Sequence, residues 1–279
     1  MFEKILYPTD FSDVSLKSLR ECLPAFWELG ARELHLLHVV DITMTEFEAF
    51  SLQEGYRERM EELRKELEEK GITATTEVRI GIPSLEIAEY ANEKGIGLIV
   101  TPSVGENIWR RMLVGNTASN LARTTKKPVL ILKYVGEEGN YRPTFGNCSE
   151  LFKKPLIALD FSKCSLKIVE TAKRFEDAME GLILLHSVDY GGIDEIEHNM
   201  EIAKKNLEKT GKAFSVPLET EVMVGTASQA IIGTTIAKRA TLIVIGKKGR
   251  SFIKDLVLGS TAERVMRDSK LPVLLVPCD

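Results

Sequence analysis

The sequence predicts an α/β fold made of two tandem copies of one doubly wound domain. Three observations carry this expectation. The chain has 279 residues, the length of about two ordinary domains. Five blocks of its first half recur, in the same order, in its second half. Short β-branched or leucine-rich runs alternate with segments of helical spacing, the pattern of βαβ units and a parallel sheet.

The blocks are the strands and their immediate exits. Lys4-Ile5-Leu6-Tyr7-Pro8-Thr9-Asp10-Phe11-Ser12 matches Lys154 to Ser162, and Leu36-Leu37-His38-Val39-Val40-Asp41 matches Leu184 to Asp189. Glu77 to Gly81 matches Glu221 to Gly225, Leu98 to Val100 matches Leu242 to Val244, and Lys127 to Leu130 matches Leu271 to Leu274. The first copy therefore has strands at about 3–8, 33–40, 74–80, 97–101 and 128–132, with helices at about 13–29, 46–70, 84–94 and 115–125. The second has strands at about 154–159, 181–188, 218–224, 241–245 and 272–276. Trp27 falls on the core side of the first helix, and Trp109 in the loop after the fourth strand. The segment from Glu46 to Lys70, rich in Glu, Arg and Lys, reads as a solvated helix with charge pairs one turn apart. The junction from Val135 to Phe152, rich in Gly, Asn and Glu, reads as a linker between domains at 1–135 and 152–279.

Composition limits the partners. Hydrophobic residues make up 44% and charged residues 28%, as in ordinary globular protein. A net charge of −4 and a pI of about 5.8 give no electrostatic case for nucleic acid or an anionic membrane. No apolar run approaches the ~18 residues of a membrane span. Met1-Phe2-Glu3-Lys4-Ile5 opens directly into a strand-like run, which predicts a cytoplasmic chain without a signal peptide. Cys22, Cys148, Cys164 and Cys278 form no metal-ligand or CxxC spacing and are expected as reduced thiols.

One constellation carries chemistry. In the second copy the fourth strand ends in Gly246-Lys247-Lys248-Gly249. Nine residues later Gly259-Ser260-Thr261-Ala262 opens a helix. Glycines let backbone approach a phosphate closely. The N–H groups and dipole at a helix N-terminus attract an anion. The hydroxyls of Ser260 and Thr261 can donate as well, and Lys247, Lys248 and Arg250 add positive charge. Asp160 directly follows the first strand of this copy. Ligands of doubly wound sheets sit where the strand order reverses. With an order 3-2-1-4-5, Asp160 and the glycine loop face each other across that crevice, and the carboxylate suits ribose hydroxyls. No GxxxxGK[ST] loop and no strand-linked GxGxxG occurs. His38 and His186 recur at equivalent strand ends without an evident catalytic partner, which favours a structural role.

These residues resemble the universal stress protein family. Lys4 to Ser12 resembles its opening strand, Leu37-His38-Val39 and Gly81-Ile82-Pro83 its next two blocks, and Gly246-x2-Gly249-x9-Gly259-Ser260 the ATP-binding pattern of its nucleotide-binding branch. The resemblance spans nearly all of both copies. It implies a five-stranded parallel sheet flanked by helices in each domain. It also implies an adenine nucleotide, ATP or AMP, with Mg²⁺ left open as a companion. Adenine and ribose would lie near Ala158, Leu159, Asp160 and Ser187. The phosphates would lie near Gly246, Lys248, Gly249, Gly259, Ser260 and Thr261, with Ile245 and Ala262 also counted among the cofactor-binding residues. It further implies antiparallel pairing of the last strands of the two domains, Pro128 to Leu132 and Pro272 to Val276, and leaves open a homodimer and a protein partner. No catalytic residue is expected. The competing readings are a nucleotide-free interaction scaffold and a weak nucleotide hydrolase.

The first copy departs from the pattern. It keeps Asp10, but its loop reads Pro102-Ser103-Val104-Gly105, followed after nine residues by Gly115-Asn116-Thr117. Proline has fixed φ and no N–H. Val104 stands for Lys248, Glu106 for Arg250 and Asn116 for Ser260, so donors and positive charge are lost. One nucleotide per chain, in the second domain, is expected.

Overall fold

The computed structural model describes residues 2–28, 30–45, 49–105, 116–136, 139–249 and 258–278. The chain divides into two compact units, Met1–Ser149 and Glu150–Asp279. In the first, β1 (Lys4–Pro8), α1 (Asp13–Glu28), β2 (Glu33–Asp41), the short α2 (Ile42–Thr45), α3 (Ala49–Glu68), β3 (Ala74–Gly81), α4 (Pro83–Glu93), β4 (Leu98–Gly105), α5 (Asn116–Thr124), β5 (Val129–Val135) and the two-residue β6 (Arg142–Pro143) follow in order. In the second come β7 (Pro155–Ala158), α6 (Lys163–Lys173), β8 (Leu182–Val188), α7 (Ile196–Gly211), β9 (Leu218–Val224), α8 (Ala227–Lys238), β10 (Leu242–Gly246), α9 (Ser260–Asp268) and β11 (Val273–Val276).

Within the first unit the strands lie in the order β3-β2-β1-β4-β5, all parallel, with β6 antiparallel on β5. Within the second they lie β9-β8-β7-β10-β11, again all parallel. This is the expected order 3-2-1-4-5, formed twice. The inner strands are covered on both faces, which is why they read as unbroken apolar runs rather than alternating ones. Leu34 to Val40 of β2 and every residue of β8 and β10 are buried. The edge strands β3 and β9 are only partly covered. The charged helix α3 buries Met60, Leu63 and Leu67 along one stripe. Its outer face carries the ion pairs of Arg64 with Glu61 and Glu68, while Arg20 of α1 pairs with Glu66.

Several sequence expectations are corrected. β4 runs to Gly105, four residues past its expected end, because it stays in register with β5 through Pro102↔Leu132, Ser103↔Lys133, Val104↔Tyr134 and Gly105↔Val135. Trp27 is only half-buried, and its neighbour Phe26 takes the core position. Trp109 lies outside the described residues. The described residues of the junction, 135–136 and 139–152, are hydrogen-bonded and partly buried. Thr144 N donates to Lys133 O at 3.0 Å, Gly139 N donates to Asp13 Oδ2 at 3.0 Å, and Cys148, Leu151 and Phe152 are buried. Phe152 packs its ring 4.7 Å from Phe175.

The cysteines are not free thiols. Cys22 is bonded to Cys148 and Cys164 to Cys278, each pair within one unit, with Cα atoms 5.1 and 4.7 Å apart. Those separations fall in the usual disulfide range. Partners lie 126 and 114 residues apart in sequence, so only the folded chain brings them together. The two pairs occupy different places in the repeat, Cys164 standing where the first copy has Val14.

Two histidines make the first domain sensitive to acid. His35 bonds Tyr90 Oη through Nδ1 at 2.8 Å, and His38 donates Nδ1–H to the Thr9 carbonyl at 2.8 Å. Burial holds both below the ordinary histidine value, because a buried imidazolium loses its hydration. Over the window between about pH 6.5 and the folded values, the unfolded chain binds protons that the folded one does not, so stability rises with pH. The contribution is present above about pH 6.5 and lost as pH falls below it. Thermal midpoints taken between pH 7 and pH 5 should fall more steeply for the parent than for His38→Asn, which keeps a donor near the Thr9 carbonyl. Equal slopes would remove His38 from this account.

Candidate functional site

The turn after β7 is built by Asp160. Its Oδ1 accepts three hydrogen bonds, from Ser162 N (3.0 Å), Ser162 Oγ (2.7 Å) and Ser165 Oγ (3.0 Å). The chain therefore turns tightly into α6, and Phe161 sits at φ 59, a left-handed value that non-glycine residues rarely adopt. Phe11 repeats it at φ 61 after Asp10. Such outliers persist only where surrounding contacts hold them. Here the Phe161 ring packs 4.6 Å from His186, and His186 donates Nδ1–H to the Leu159 carbonyl at 2.7 Å. The histidines thus tie the second strand of each domain to the exit of the first.

The glycine loop is held from two sides. Lys247 N donates to the Val276 carbonyl at 2.8 Å, and the Lys247 carbonyl accepts from Gly259 N at 2.7 Å. The loop is thereby fixed between the end of β11 and the entrance of α9. The N-cap of α9 is Gly259, which has no side chain to satisfy the N–H groups of the first turn. A Cβ on Gly259 would lie 3.3 Å from the Lys247 carbonyl and 3.8 Å from Gly249 N, so glycine here lets helix and loop touch. A Cβ on Gly246 would lie 2.6 Å from Cys164 Sγ. A Cβ on Gly249 would lie 3.3 Å from Asp160 Oδ2, so the carboxylate and the loop do face each other.

All twelve residues singled out from the sequence line one cavity of about 380 Å³: Ala158, Leu159, Asp160, Ser187, Ile245, Gly246, Lys248, Gly249, Gly259, Ser260, Thr261 and Ala262. The volume is within the range of small-molecule sites. Arg250 lies outside the described residues. Eight further lining residues were not placed in the site from the sequence: Ile168, Leu185, His186, Asp189, Tyr190, Ala227, Ile231 and Lys247. Lys247 had entered only as nearby charge, whereas it is buried. The apolar members come from strand β8 and from faces of α6 and α8 that pattern alone assigns to the core. Tyr190 follows β8 directly, and no motif marks it. Chemically, the lining combines apolar side chains, the carboxylates of Asp160 and Asp189, two lysines and the first turn of α9. Glu263 is in the first turn of α9 but not among the lining residues.

The equivalent end of the first domain differs. Where β10 stops at Gly246, β4 continues as paired strand through Gly105. Thr9 Oγ1 is engaged by Phe11 N and Ser15 Oγ. The longer helix α3 packs Tyr56 4.0 Å from His38, and Arg59 lies 4.1 Å over the Phe11 ring. Glu106 and Gly115 lie outside the described residues.

Comparison with known proteins follows the repeat. The model of the Universal stress protein family matches residues 1–133 and again 151–277. A universal stress protein of Methanocaldococcus jannaschii is 33% identical over 156 residues, covering 48% of this chain and 96% of its own length. One of Mycolicibacterium smegmatis is 25% identical over 244 residues, covering 80% of this chain and 77% of its own. The crystal structure of a universal stress protein from Archaeoglobus fulgidus aligns with a TM-score of 0.75 at 24% identity, covering 99% of this chain and 98% of that one, a likeness of fold.

Proposed function

The chain belongs to the universal stress protein family as a tandem of two such domains, and from that premise we propose that its second domain is a non-catalytic binding module for ATP or AMP. The observation that supports this most is the convergence of the twelve residues on one cavity with an anion-binding helix start in its lining. The base would lie beside Ala158, Leu159 and Ser187. Ser187 Oγ already donates to the Gly225 carbonyl at 2.6 Å, so its remaining role toward a base is as an acceptor. Asp160 would take the ribose hydroxyls through the oxygen facing Gly249, its other oxygen being occupied by the serines. The phosphates would meet the loop backbone, Lys248 and the first turn of α9. Occupancy would then alter the surface offered to a protein partner in the cytoplasm. No helix among the described residues is long and apolar enough to cross a membrane.

The test is calorimetry with ATP and with AMP on nucleotide-stripped protein. The parent should bind, and Gly259→Val should not, because its branched side chain would separate α9 from the loop. Asp160→Ala should bind more weakly by roughly one order of magnitude, since hydrogen bonds of about 0.5–1.5 kcal/mol each are lost. A parent that binds neither nucleotide would overturn the reading in favour of a scaffold.

A further inference from the structure

The Cys164–Cys278 disulfide lies directly beneath the glycine loop. Cys164 is the second residue of α6, four residues after Asp160, and is buried at 6% exposure. Cys278 follows β11 and is half-exposed. Its Sγ rests 3.7 Å from the Lys248 carbonyl, while the Cys164 sulfur occupies the space beside Gly246, 2.6 Å from where a Cβ would stand. One covalent bond therefore joins the helix that follows the Asp160 turn to the tail after β11, the strand to which the glycine loop is tied, and both sulfurs lie against that loop. Gly246 is buried, and Ile168 stands 3.2 Å from the same point, so the Cys164 sulfur is packed closely against the start of the loop.

We infer that this disulfide is a redox latch on the nucleotide site: oxidised, it holds the loop in its binding geometry, and reduced, it lets the loop shift and the nucleotide leave. The inference rests on the nucleotide reading given above. As two thiols the sulfurs must move from bonding distance to van der Waals distance, pressing on Gly246 or on the Lys248 carbonyl. The chemistry is thiol–disulfide exchange with a dithiol. One thiolate of the reductant attacks the sulfur of Cys278, the more exposed of the two residues, the S–S bond breaks, and Cys164 leaves as thiolate. The second thiolate of the reductant then releases Cys278. Two electrons and two protons end on the protein, and the reductant departs as a cyclic disulfide. In a compartment that keeps thiols reduced, a disulfide serves as a sensor rather than a permanent staple.

Linkage makes the effect reciprocal: whatever factor reduction takes from ATP affinity, ATP must add to the stability of the disulfide. The experiment uses the full chain carrying Cys22→Ser and Cys148→Ser, so that one disulfide remains. ATP affinity is measured by calorimetry in the oxidised protein and in excess dithiothreitol, and the disulfide's midpoint potential is measured with and without saturating ATP. The oxidised form should bind about tenfold more tightly, and ATP should lower the potential by about 30 mV, the same factor for a two-electron couple. Cys164→Ser with Cys278→Ser should bind like the reduced form and ignore dithiothreitol. Equal affinity in both states, with a potential unmoved by ATP, would overturn the latch and leave the site. Absence of ATP binding in either state, in protein that circular dichroism shows to be folded, would instead remove the nucleotide reading and the latch with it.

Discussion

Gly246→Ala should destabilise the second domain by about 1–3 kcal/mol and lower its ATP affinity about tenfold or more. The added methyl would stand 2.6 Å from Cys164 Sγ, 3.1 Å from the Lys248 carbonyl and 3.2 Å from Ile168 Cδ1. A disulfide sulfur is not the free end of a flexible side chain, and the carbonyl belongs to the loop itself, so relief comes only by displacing the site. Thermal unfolding and calorimetry on the same preparation would measure both effects. In the Cys164→Ala background, which removes the nearest of these contacts together with the disulfide, Gly246→Ala should cost less stability than it costs in the parent background. Parent-like melting and binding by Gly246→Ala would show that the loop yields freely at this point.

The second large effect is stoichiometry: one nucleotide per chain, bound by the second domain. The first domain keeps Asp10, whose Oδ1 is held by Ser12 as Asp160 is held by Ser162. What it lacks is the turn. β4 runs on beside β5 to Gly105, so the backbone that would bend toward phosphate is spent on strand pairing. Lys248 and Ser260 have no counterparts there. Losing two charge-assisted hydrogen bonds at roughly 1.5–3 kcal/mol each weakens binding by about two to four orders of magnitude. Calorimetry should therefore give a single site that disappears in Gly259→Val and survives Gly115→Val. Two sites of similar affinity would defeat the asymmetric model.

Sequence by itself determined the duplication, the alternation of strands and helices, and the glycines that line the cavity of the second domain, each of which is written locally, whereas the strand order was only assumed. Parallel strands buried on both faces must be continuous apolar runs, and a loop that lets backbone approach phosphate needs glycine at set intervals, so Gly246, Gly249 and Gly259 are legible without coordinates. The left-handed Phe161 and the serines that fix Asp160 repeat the first copy's pattern but carry no signal of strain. Tertiary structure alone decided the rest. The pairing of Cys164 with Cys278 joins residues 114 apart, and their non-equivalence in the repeat left no internal comparison to reveal it. The overrun of β4 depends on its register with β5, a partner some thirty residues on. Ile168, Ile231 and Tyr190 reached the cavity because helix α6, helix α8 and the exit of β8 converge there, and apolar periodicity specifies that a face is buried without saying what it is buried against.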